Sequence, residues 1–410
     1  MAFVGALDEH TRHRLARGTL AGVITCGLWF WELPEIWDTW GTGQGHLLWL
    51  LTTMVHSLPF ALMALCAGNP RERGHGRSAL RLGLAGCLAT SLAGWFPVPV
   101  DLSMAAAFQP LTLGPARWAG ASGWVGCLLV LAGLLVGRQP MAFGALALWS
   151  LSGTVAPPST THSDTLQVTV IEPGLDVFAS RQSGRRAASD LAVQRALDAI
   201  PAGATDLVVL PETSWYSATP PRHDTPVVYG TSRDAQNLVV LGGQHVAKQY
   251  LVPLVERPIL GVGPQAFLPG GAPRRLVVDS VILGPLVCFE DLHGAALRQA
   301  DRAGAQLLVV ATQDSWLSMG QAANKHLAAS VLAAVRSGRP VIRAASTGPS
   351  AVIAPSGHIL ASTPIRRDPM TSVDHLESSI RPSQPMLSAA ALEPWLGGLS
   401  VLVLLSLIHI

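Results

Sequence analysis

Residues 280–290 read SVILGPLVCFE, an apolar run that ends in a cysteine followed two residues later by a glutamate. The stretch from Val281 to Val287 has no charged residue and is rich in aliphatic side chains, which is typical of a strand buried on both faces. Residues just beyond the carboxyl end of such a strand lie where α/β folds place their ligands. Cys288 is therefore the first candidate functional residue.

The same pattern continues on both sides of this run. Between residues 166 and 360, short runs rich in Val, Ile and Leu alternate with amphipathic helical stretches. Buried strands that alternate with helices predict a layered α/β domain. The predicted elements read LQVTVIEP, SDLAVQRALDAI, TDLVVLPETSW, LVVLGGQ, SVILGPLVCFE, GAALRQADRAGA, QLLVVATQDSW, HLAASVLAAVRSGRP, VIRAAS and SAVIAPSGHIL.

The residues before this domain have a different composition. The whole chain of 410 residues is 49% hydrophobic and only 13% charged, which is too apolar for an ordinary soluble protein. About 20 apolar residues are needed to cross a bilayer as a helix. We predict an α-helical membrane bundle over residues 1–156, the α/β domain over 157–384 after the linker PPSTTHSD, and a C-terminal span within 385–410. The five predicted N-terminal spans are 18–33, 45–67, 80–97, 122–137 and 140–156.

Arginines predict the orientation of these spans, because short basic loops stay in the cytoplasm. The acidic residues Glu32, Glu35 and Asp38 lie at or just beyond the end of the first span, on the other side. The N-terminus is then inside, and five crossings place the α/β domain outside, in the periplasm of a bacterium. We expect a multi-pass protein of the bacterial inner membrane. The arginines on the predicted inner side are Arg12, Arg14, Arg17, Arg71, Arg73, Arg77, Arg81 and Arg138.

The last residues of the sequence, LSLIHI at 405–410, raise a separate expectation. They match the translation of CTGTCTCTTATACACATC, a transposase adapter used in library preparation. We expect the natural chain to depart from this sequence after residue 404, and re-sequencing the gene past that codon tests this.

Three polar residues follow predicted strands and form a chemically sensible set. Glu212 follows LVVLP, Lys248 follows LVVLGGQHVA, and Cys288 follows VILGPLV. A thiolate is a strong nucleophile, a carboxylate can take its proton, and an ammonium can stabilise a tetrahedral oxyanion. Lys248 is one of only two lysines beside 26 arginines, which favours a role that a guanidinium cannot fill.

Other classes of function have weaker support from the sequence. The formal charge of +2 is too small and too dispersed for a nucleic-acid surface. The 13 histidines include no HExxH pair and no clustered Cys/His ligands, so we expect no metal and no cofactor. Cys288 alone is also compatible with an inert buried thiol, and His293 leaves open a Cys-His protease pair. The other four cysteines fall within predicted spans, where a thiol behaves as a small apolar residue.

The motifs LPETSW around Glu212, KQYLVPLVE from Lys248 to Glu256, and CFE from Cys288 resemble those of the nitrilase (carbon-nitrogen hydrolase) superfamily. Within it, the chain is similar to the apolipoprotein N-acyltransferases and, in its smaller number of spans, especially to the conjugal-transfer TraB-like membrane branch. The resemblance continues in ATQDSWL and further along, over most of residues 166–362. It implies an α-β-β-α sandwich with Glu212 as general base, Lys248 as oxyanion stabiliser and Cys288 as nucleophile.

The resemblance also implies supporting residues. Glu256 and Glu290 would be supporting carboxylates, although Glu256 is also compatible with a solvated surface position and Glu290 with a helix cap. The backbone N–H of Phe289 is a candidate second oxyanion donor. Only four residues separate Gly243 from Lys248, where the family usually has a β-hairpin. The remaining candidates, for the wall of a substrate pocket, are Trp215, Asp314 and Trp316.

Three functions are compatible with these observations. The first is a membrane acyltransferase that forms a thioester at Cys288 with an acyl chain from a phospholipid and passes it to an amine, such as that of a lipoprotein. The second is a nitrilase-type amidase, which transfers the acyl group to water. The third is a non-catalytic, TraB-like component of a plasmid conjugal transfer system. Intact Glu212, Lys248 and Cys288 favour an enzyme, and we predict the acyltransferase.

Overall fold

The computed structural model divides into two compact units. One unit comprises Met1–Ser103, Leu111–Ala156 and Leu392–Ile410, and the other comprises Met104–Pro110 and Pro157–Ala391. The predicted orientation residues Arg71 and Arg73, parts of the linker at 157–164, and residues 409–410 lie outside the described residues. The structure describes residues 9–39, 43–68, 74–94, 96, 101–155, 159–161, 164–174, 176, 184–259, 261, 263, 265–271, 273–317, 321–365, 373–385 and 387–408.

The first unit is helical. The helices are α1 (Glu9–Trp29), α2 (Leu33–Thr39), α3 (Gly45–Ala67), α4 (His75–Ala93), α5 (Gly114–Val136), α6 (Met141–Thr154) and α10 (Ala389–Ile408). The long helices pack side by side, α1 on α3, α3 on α4, α4 on α5 and α5 on α6. Helix α10 adds Leu404 to an apolar cluster with Met63, Ala85 and Ala89.

Helices thus form at each predicted span, but few of them satisfy the requirements for crossing a bilayer. Among the described residues, only Gly45–Ala67 and Pro110–Val136 are both long and apolar enough. The helices Met141–Thr154 and Ala389–Leu404 are apolar but shorter. A membrane bundle of five or six spans is therefore not confirmed and stays a prediction.

One helix of this unit is broken at a glycine. Gly120 interrupts α5 with φ +64° and ψ −166°, a conformation that glycine tolerates because it has no Cβ. The backbone N–H of Ala121, at the new helix start, donates to Oε1 of Glu393 at 2.8 Å. A Cβ at position 120 would clash with the same carboxylate oxygen. The glycine therefore leaves room for the Glu393 carboxylate, and that carboxylate accepts a backbone N–H that the helix break exposes.

The second unit contains two six-stranded sheets. Their strand orders are β12-β11-β10-β9-β8-β7 and β13-β2-β3-β4-β5-β6, and β1 pairs with β14 in a separate two-stranded sheet. The strands are β1 (Ser159–Thr161), β2 (Leu166–Glu172), β3 (Leu207–Val209), β4 (Val227–Arg233), β5 (Gln236–Leu241), β6 (Gln244–Ala247), β7 (Leu276–Val278), β8 (Val281–Val287), β9 (Leu307–Thr312), β10 (Val341–Ala345), β11 (Ala351–Ile353), β12 (Ile359–Ser362), β13 (Asp374–Ile380) and β14 (Ser383–Pro385).

The two sheets enclose one hydrophobic core. In β3, Leu207 and Val209 join that core together with residues of the other sheet, such as Val309 of β9. The residue between them, Val208, points to the opposite face and packs with Val193 of helix α7 (Arg185–Asp198). Alternation along a strand thus buries both faces of the sheet.

Two helices cover the outer face of the sheet that contains β8, namely α8 (Gly294–Arg302) and α9 (Gln321–Ser337). A Cβ at Gly284 of β8 would lie 2.9 Å from the Cβ of Ala300, so the missing side chain lets α8 approach the strand closely. With α7 on the other side, the layers are helix, sheet, sheet and helix. The predicted α-β-β-α sandwich is confirmed.

Candidate active site

Glu212 lies on a tight turn after β3 that passes directly over β4. The backbone N–H groups of Ser214 and Trp215 both donate to the carbonyl of Gly230, at 3.0 and 3.1 Å, and the N–H of Gly230 donates to the carbonyl of Pro211 at 3.1 Å. A Cβ at Gly230 would lie 2.5 Å from the Cα of Glu212, closer than side chains tolerate. Glycine at 230 is therefore what allows the turn to hold Glu212 in this position.

Lys248 follows a hairpin that the sequence analysis did not predict. Strands β5 and β6 pair antiparallel, with Leu241 opposite Gln244, so Gly242 and Gly243 alone form the turn. Gly242 adopts φ +57°, which suits the first position of a two-residue hairpin turn. The four residues before Lys248 are thus the second strand of a short hairpin, and Lys248 lies beyond β6 and not directly beyond the apolar strand β5.

Strand directions explain why Glu212 and Lys248 meet. β3 and β4 are parallel, β4 and β5 antiparallel, and β5 and β6 antiparallel, so β6 runs in the same direction as β3. The residues after β3 and β6 therefore lie at the same edge of one sheet. In the other sheet β8, β9 and β10 are parallel, so the residues after them also share an edge.

The Lys248 ammonium lies between two carboxylates. Nζ is 3.1 Å from Oε1 of Glu212 and 2.8 Å from Oε1 of Glu256, and all three side chains are buried. Burial acts to lower the pKa of Lys248, but the charges of Glu212 and Glu256 outweigh it and hold that pKa well above its ordinary value. Lys248 is therefore an ammonium in this site.

Further donors hold the carboxylates on either side. Asn237 Nδ2 donates to Oε1 of Glu212 at 2.5 Å, and the backbone N–H of Gln313 donates to Oε2 at 2.9 Å. The backbone N–H of Val252 donates to Oε2 of Glu256 at 2.7 Å. Burial, ahead of the opposing charge of Lys248, raises the pKa of Glu256. Glu256 is buried in this site, so the interpretation of it as a solvated surface carboxylate is wrong.

Cys288 begins a 3₁₀ turn, Cys288–Leu292, in a strained backbone conformation. Its φ is +52°, which is uncommon for a residue with a Cβ, and its side chain is 2% exposed. Burial raises the pKa of the thiol well above its ordinary value, the charge of Glu212 raises it further, and Lys248 opposes both. The thiol is therefore protonated at rest, within electrostatic range of Glu212 and Lys248, and needs a base to become a nucleophile.

Glu290 ties the turn after Cys288 to the loop after Lys248. Its carboxylate forms a double ion pair with Arg274, at 2.6 and 2.5 Å. The same carboxylate accepts the backbone N–H groups of Gln249 and Tyr250, at 2.7 and 3.0 Å, and that of Val287 at 2.8 Å. Glu290 therefore caps the 3₁₀ turn and also connects that turn, which follows a strand of one sheet, to the loop that follows a strand of the other.

Four further charged side chains form a buried cluster next to the same turn: Asp291, Asp314, His326 and Arg343, called here the buried quartet. His326 Nδ1 is 2.9 Å from Oδ1 of Asp314, and His326 Nε2 is 3.2 Å from Oδ1 of Asp291. Arg343 contacts both carboxylates, Asp291 at 3.6 Å and Asp314 more closely. Two anions thus face two cations.

The other candidates from the sequence occupy different environments. Trp215 packs in the core under α7, and its Nε1 donates to the carbonyl of Thr219 at 2.7 Å. Asp314 belongs to the buried quartet, so its carboxylate is already engaged by protein groups. Trp316 is half-buried on the loop after β9. Phe289 lies edge-on to the ring of His293, at a centroid distance of 4.8 Å.

His293 does not have the character expected of a catalytic base. Its ring stacks on Tyr250 at a centroid distance of 4.6 Å, and burial lowers its pKa to about 4. The Cys-His protease interpretation thus gains no support. Among the described residues, no group of three or more His, Cys, Asp or Glu side chains is arranged to hold a metal ion.

Part of the chain matches a known protein family. The carbon-nitrogen hydrolase family matches residues 236–373, a segment that contains Lys248, Glu256, Cys288 and Glu290. The chain carries a carbon-nitrogen hydrolase domain. The matched segment begins within the hairpin that precedes Lys248, and Glu212 lies outside it. The site therefore combines residues from inside and outside the part that matches this family.

Relatives of the carbon-nitrogen hydrolase domain include several named apolipoprotein N-acyltransferase. The protein from Geobacter metallireducens is 36% identical over 123 residues, covering 30% of this chain and 23% of its own length. The protein from Haemophilus influenzae is 26% identical over 222 residues, covering 43% of this chain and 42% of its own length. The chain thus spans less than half of the length of these relatives. The TraB-like branch is not confirmed by these comparisons.

Solved structures similar to the chain include two enzymes of low sequence identity. A carbon-nitrogen hydrolase from Helicobacter pylori has 16% identity and a TM-score of 0.40, over 53% of this chain and 89% of its own. A variant of an amidase from Nesterenkonia, of the nitrilase superfamily, has 17% identity and a TM-score of 0.38, over 55% of this chain and 92% of its own.

Several residues around this candidate site were missed in the sequence. A charge within a buried strand, as in VIRAAS, is a usable signal, because a buried ion needs a partner. The close approach of the Glu212 turn to Gly230 and the hydrogen bond from Asn237 to Glu212 leave no such signal in the sequence. The missed residues are Gly230, Asn237, Arg274, Asp291, His326 and Arg343.

Proposed function

We propose that the protein is a membrane-bound acyltransferase that carries an acyl group as a thioester on Cys288. The observation that carries the proposal is the buried contact of Lys248 with Glu212 and Glu256, in electrostatic range of the strained thiol. For a purely structural ion pair an arginine would serve as well, and the chain uses arginine almost everywhere else. A lysine at this position therefore favours a chemical role for the ammonium.

In the first half of the reaction, Glu212 takes the proton of the Cys288 thiol as sulfur attacks the carbonyl carbon of a phospholipid ester. The C–S bond forms, and the oxyanion faces the Lys248 ammonium and the backbone N–H of Phe289. The ester C–O bond then breaks. Glu212 returns the proton to the departing glycerol oxygen, which leaves a lysophospholipid and a thioester.

In the second half, an amine attacks the thioester carbonyl. Glu212 takes a proton from the amine as the C–N bond forms, and the C–S bond breaks to release the amide. Sulfur then recovers the proton from Glu212, so the site is regenerated without any added reagent. The relatives named apolipoprotein N-acyltransferase favour the amine of a lipoprotein as acceptor.

A membrane location favours an acyl chain donor over a small soluble amide. Two described helices are long and apolar enough to cross a bilayer, and basic residues precede the first predicted span. We therefore propose a multi-pass protein of the bacterial inner membrane with the catalytic domain in the periplasm. Residence in the membrane raises the local concentration of lipid at the thiol, which is a proximity effect.

The alternative is a nitrilase-type amidase, in which water replaces the amine. The match to the carbon-nitrogen hydrolase family favours it equally, because the thioester step is common to both. The nature of the acyl donor and acceptor separates the two functions. A TraB-like component of a conjugal transfer system without catalysis predicts no thioester at all.

Intact mass measurement tests the proposal directly. Purified protein is incubated with phosphatidylethanolamine vesicles, alongside Cys288→Ala and, as a control at another thiol, Cys127→Ala. The expected result is a hydroxylamine-sensitive gain of one acyl chain in wild type and Cys127→Ala, absent in Cys288→Ala. The absence of an adduct in wild type would refute the phospholipid-donor proposal. An adduct with a small amide but not with vesicles would support the amidase.

A further inference from the structure

The buried quartet of Asp291, Asp314, His326 and Arg343 is joined to the nucleophile by two routes. Through the chain, Asp291 lies in the 3₁₀ turn that Cys288 begins. Through space, the Thr312 side chain acts to lower the pKa of the Cys288 thiol, and its hydroxyl donates to Oδ1 of Asp314 at 2.8 Å. Any change in the quartet therefore reaches both the backbone and the sulfur of Cys288.

We propose that the buried quartet is a positioning device for Cys288, in which His326 bridges Asp291 and Asp314 and thereby fixes the strained turn and the charge beside the thiol. This inference rests on the proposed function, which it deepens by naming groups that act on the nucleophile without touching a substrate. His326 is thus a positioning residue and not a catalytic one.

The Thr312 hydroxyl explains why the charge of the quartet matters to the sulfur. This hydroxyl has one proton, which it donates to Asp314 while the thiol is protonated. When Cys288 ionises, the hydroxyl must turn to the thiolate, and Asp314 loses that donor. Asp314 then depends on His326 and Arg343 for its remaining contacts. A complete quartet makes this exchange less costly.

The surroundings of His326 favour a cation: Nδ1 hydrogen-bonds to Asp314, and Nε2 lies at ion-pair distance from Asp291 without hydrogen-bond alignment. Both ring nitrogens face carboxylate oxygens, at 2.9 and 3.2 Å, and a neutral imidazole would leave one of them without a proton to donate. The charged groups that face His326 are Asp291 on the 3₁₀ turn, Asp314 after β9 and Arg343 on β10. Burial acts to lower the pKa of His326, but the charges of Asp291 and Asp314 raise it to about 9.

Loss of the His326 proton changes the net charge of the quartet. With His326 charged, two anions and two cations balance; with His326 neutral, one net negative charge remains beside a thiol that must become a thiolate. The charge of Asp314 already acts to raise the pKa of Cys288. Neutralising His326 therefore disfavours ionisation of the thiol and makes Cys288 less reactive.

Alkylation of the thiol tests this without any acyl donor. The full-length protein is treated with iodoacetamide, and modification of Cys288 is followed by peptide mass mapping, which separates it from the four other free cysteines. For wild type, the logarithm of the rate should rise with pH and flatten above about pH 9, where His326 loses its proton. For His326→Gln, the rate at pH 8 should fall about tenfold, one pKa unit, with no break near pH 9.

Two further variants keep the test specific. His375→Gln changes an exposed histidine of β13 and should leave the rate and the break unchanged. Asp291→Asn combined with His326→Gln removes one charge of each sign, and it should recover most of the lost reactivity. A merely structural role would make the double variant worse than the single one.

The proposal is overturned if His326→Gln alkylates like wild type with the same break, or if the double variant is no better than the single. Failure of both variants to fold, measured by thermal unfolding, would assign the quartet a purely structural role and overturn it as well. A quartet effect without any acyl adduct would refute only the proposed function. An acyl adduct without a quartet effect would refute only this inference.

Discussion

Gly230→Ala should impair the site although it changes none of the proposed catalytic side chains. The added Cβ would lie 2.5 Å from the Cα of Glu212 and 2.7 Å from the amide nitrogen of Thr213, and closer still to the carbonyl oxygen of Pro211. Ordinary contact begins near 3.4 Å, so the turn must move by about 1 Å. The turn has little freedom to absorb this, because Thr213 already adopts φ +47°.

A displacement of this size has two measurable costs. Misplacing a catalytic group by about 1 Å lowers the rate about 100-fold. Forcing a side chain into a filled space also lowers the free energy of unfolding by about 1–3 kcal/mol. We therefore expect Gly230→Ala to form the Cys288 acyl adduct about 100-fold more slowly than wild type, with only a moderate fall in the midpoint of thermal unfolding.

The assay is single-turnover adduct formation followed by intact mass, with Gly243→Ala as the matched control. Gly243 lies in the same sheet's hairpin, and a Cβ there would meet no heavy atom within 4 Å. The control should therefore react like wild type. If Gly230→Ala matched the control, the close approach would not position Glu212, and the reasoning would be refuted. Iodoacetamide reactivity measured in parallel reports whether the thiol itself is disturbed.

Four other changes have defined outcomes. Lys248→Arg should slow adduct formation about 100- to 1,000-fold with the fold intact by circular dichroism, because a planar guanidinium does not replace a compact ammonium as oxyanion donor. Arg274→Met should lower the free energy of urea unfolding by about 3–5 kcal/mol by leaving Glu290 buried and unpaired, and adding Glu290→Gln should recover part of it. The folded pKa of His326, about 9, lies above its ordinary 6.5, so its stabilisation is complete below pH 6.5 and lost as pH rises through 9. That loss amounts to about 3 kcal/mol, absent in His326→Gln, and unfolding titrations at pH 6 and 10 measure it. Gly120→Ala should lower the free energy of unfolding of the helical unit by about 1–3 kcal/mol, because the new Cβ displaces the Glu393 carboxylate at the helix break. Gly144→Ala should leave that free energy unchanged, because a Cβ there meets no heavy atom within 4 Å. An unchanged value in any of these measurements would contradict the contact on which it rests.

Hydrophobic patterning was sufficient to predict the central strands and the layer arrangement. Runs such as VILGPLV and LLVVAT have no polar face, and such strands must be covered on both sides, which leads to the sandwich. The strand β13, DHLESSI, was missed because only Leu376 and Ile380 of it are buried at the sheet edge. An edge strand carries half of the pattern that marks a central one.

The candidate site was predictable where chemistry restricts the residue type and unpredictable where the requirement is one of space. Lys248 and Cys288 were distinctive because of their rarity outside the apolar runs. Gly230 was not, because nothing in its own strand indicates that another turn passes over it. The contact between His326 and Asp291 was equally unpredictable, because the two residues are far apart in the chain and no sequence pattern relates them.

The carboxylate and the ammonium of the site come from one sheet, and the sulfur comes from the other. Before the two sheets close on their common core, Cys288 is an ordinary thiol with no base beside it and no strained turn to present it. Reactivity is therefore among the last properties the chain acquires during folding. Under the proposed function, a nascent or partly unfolded copy in the presence of abundant lipid would not acylate itself or its neighbours, so the division of the site between the sheets would protect the protein during its own synthesis.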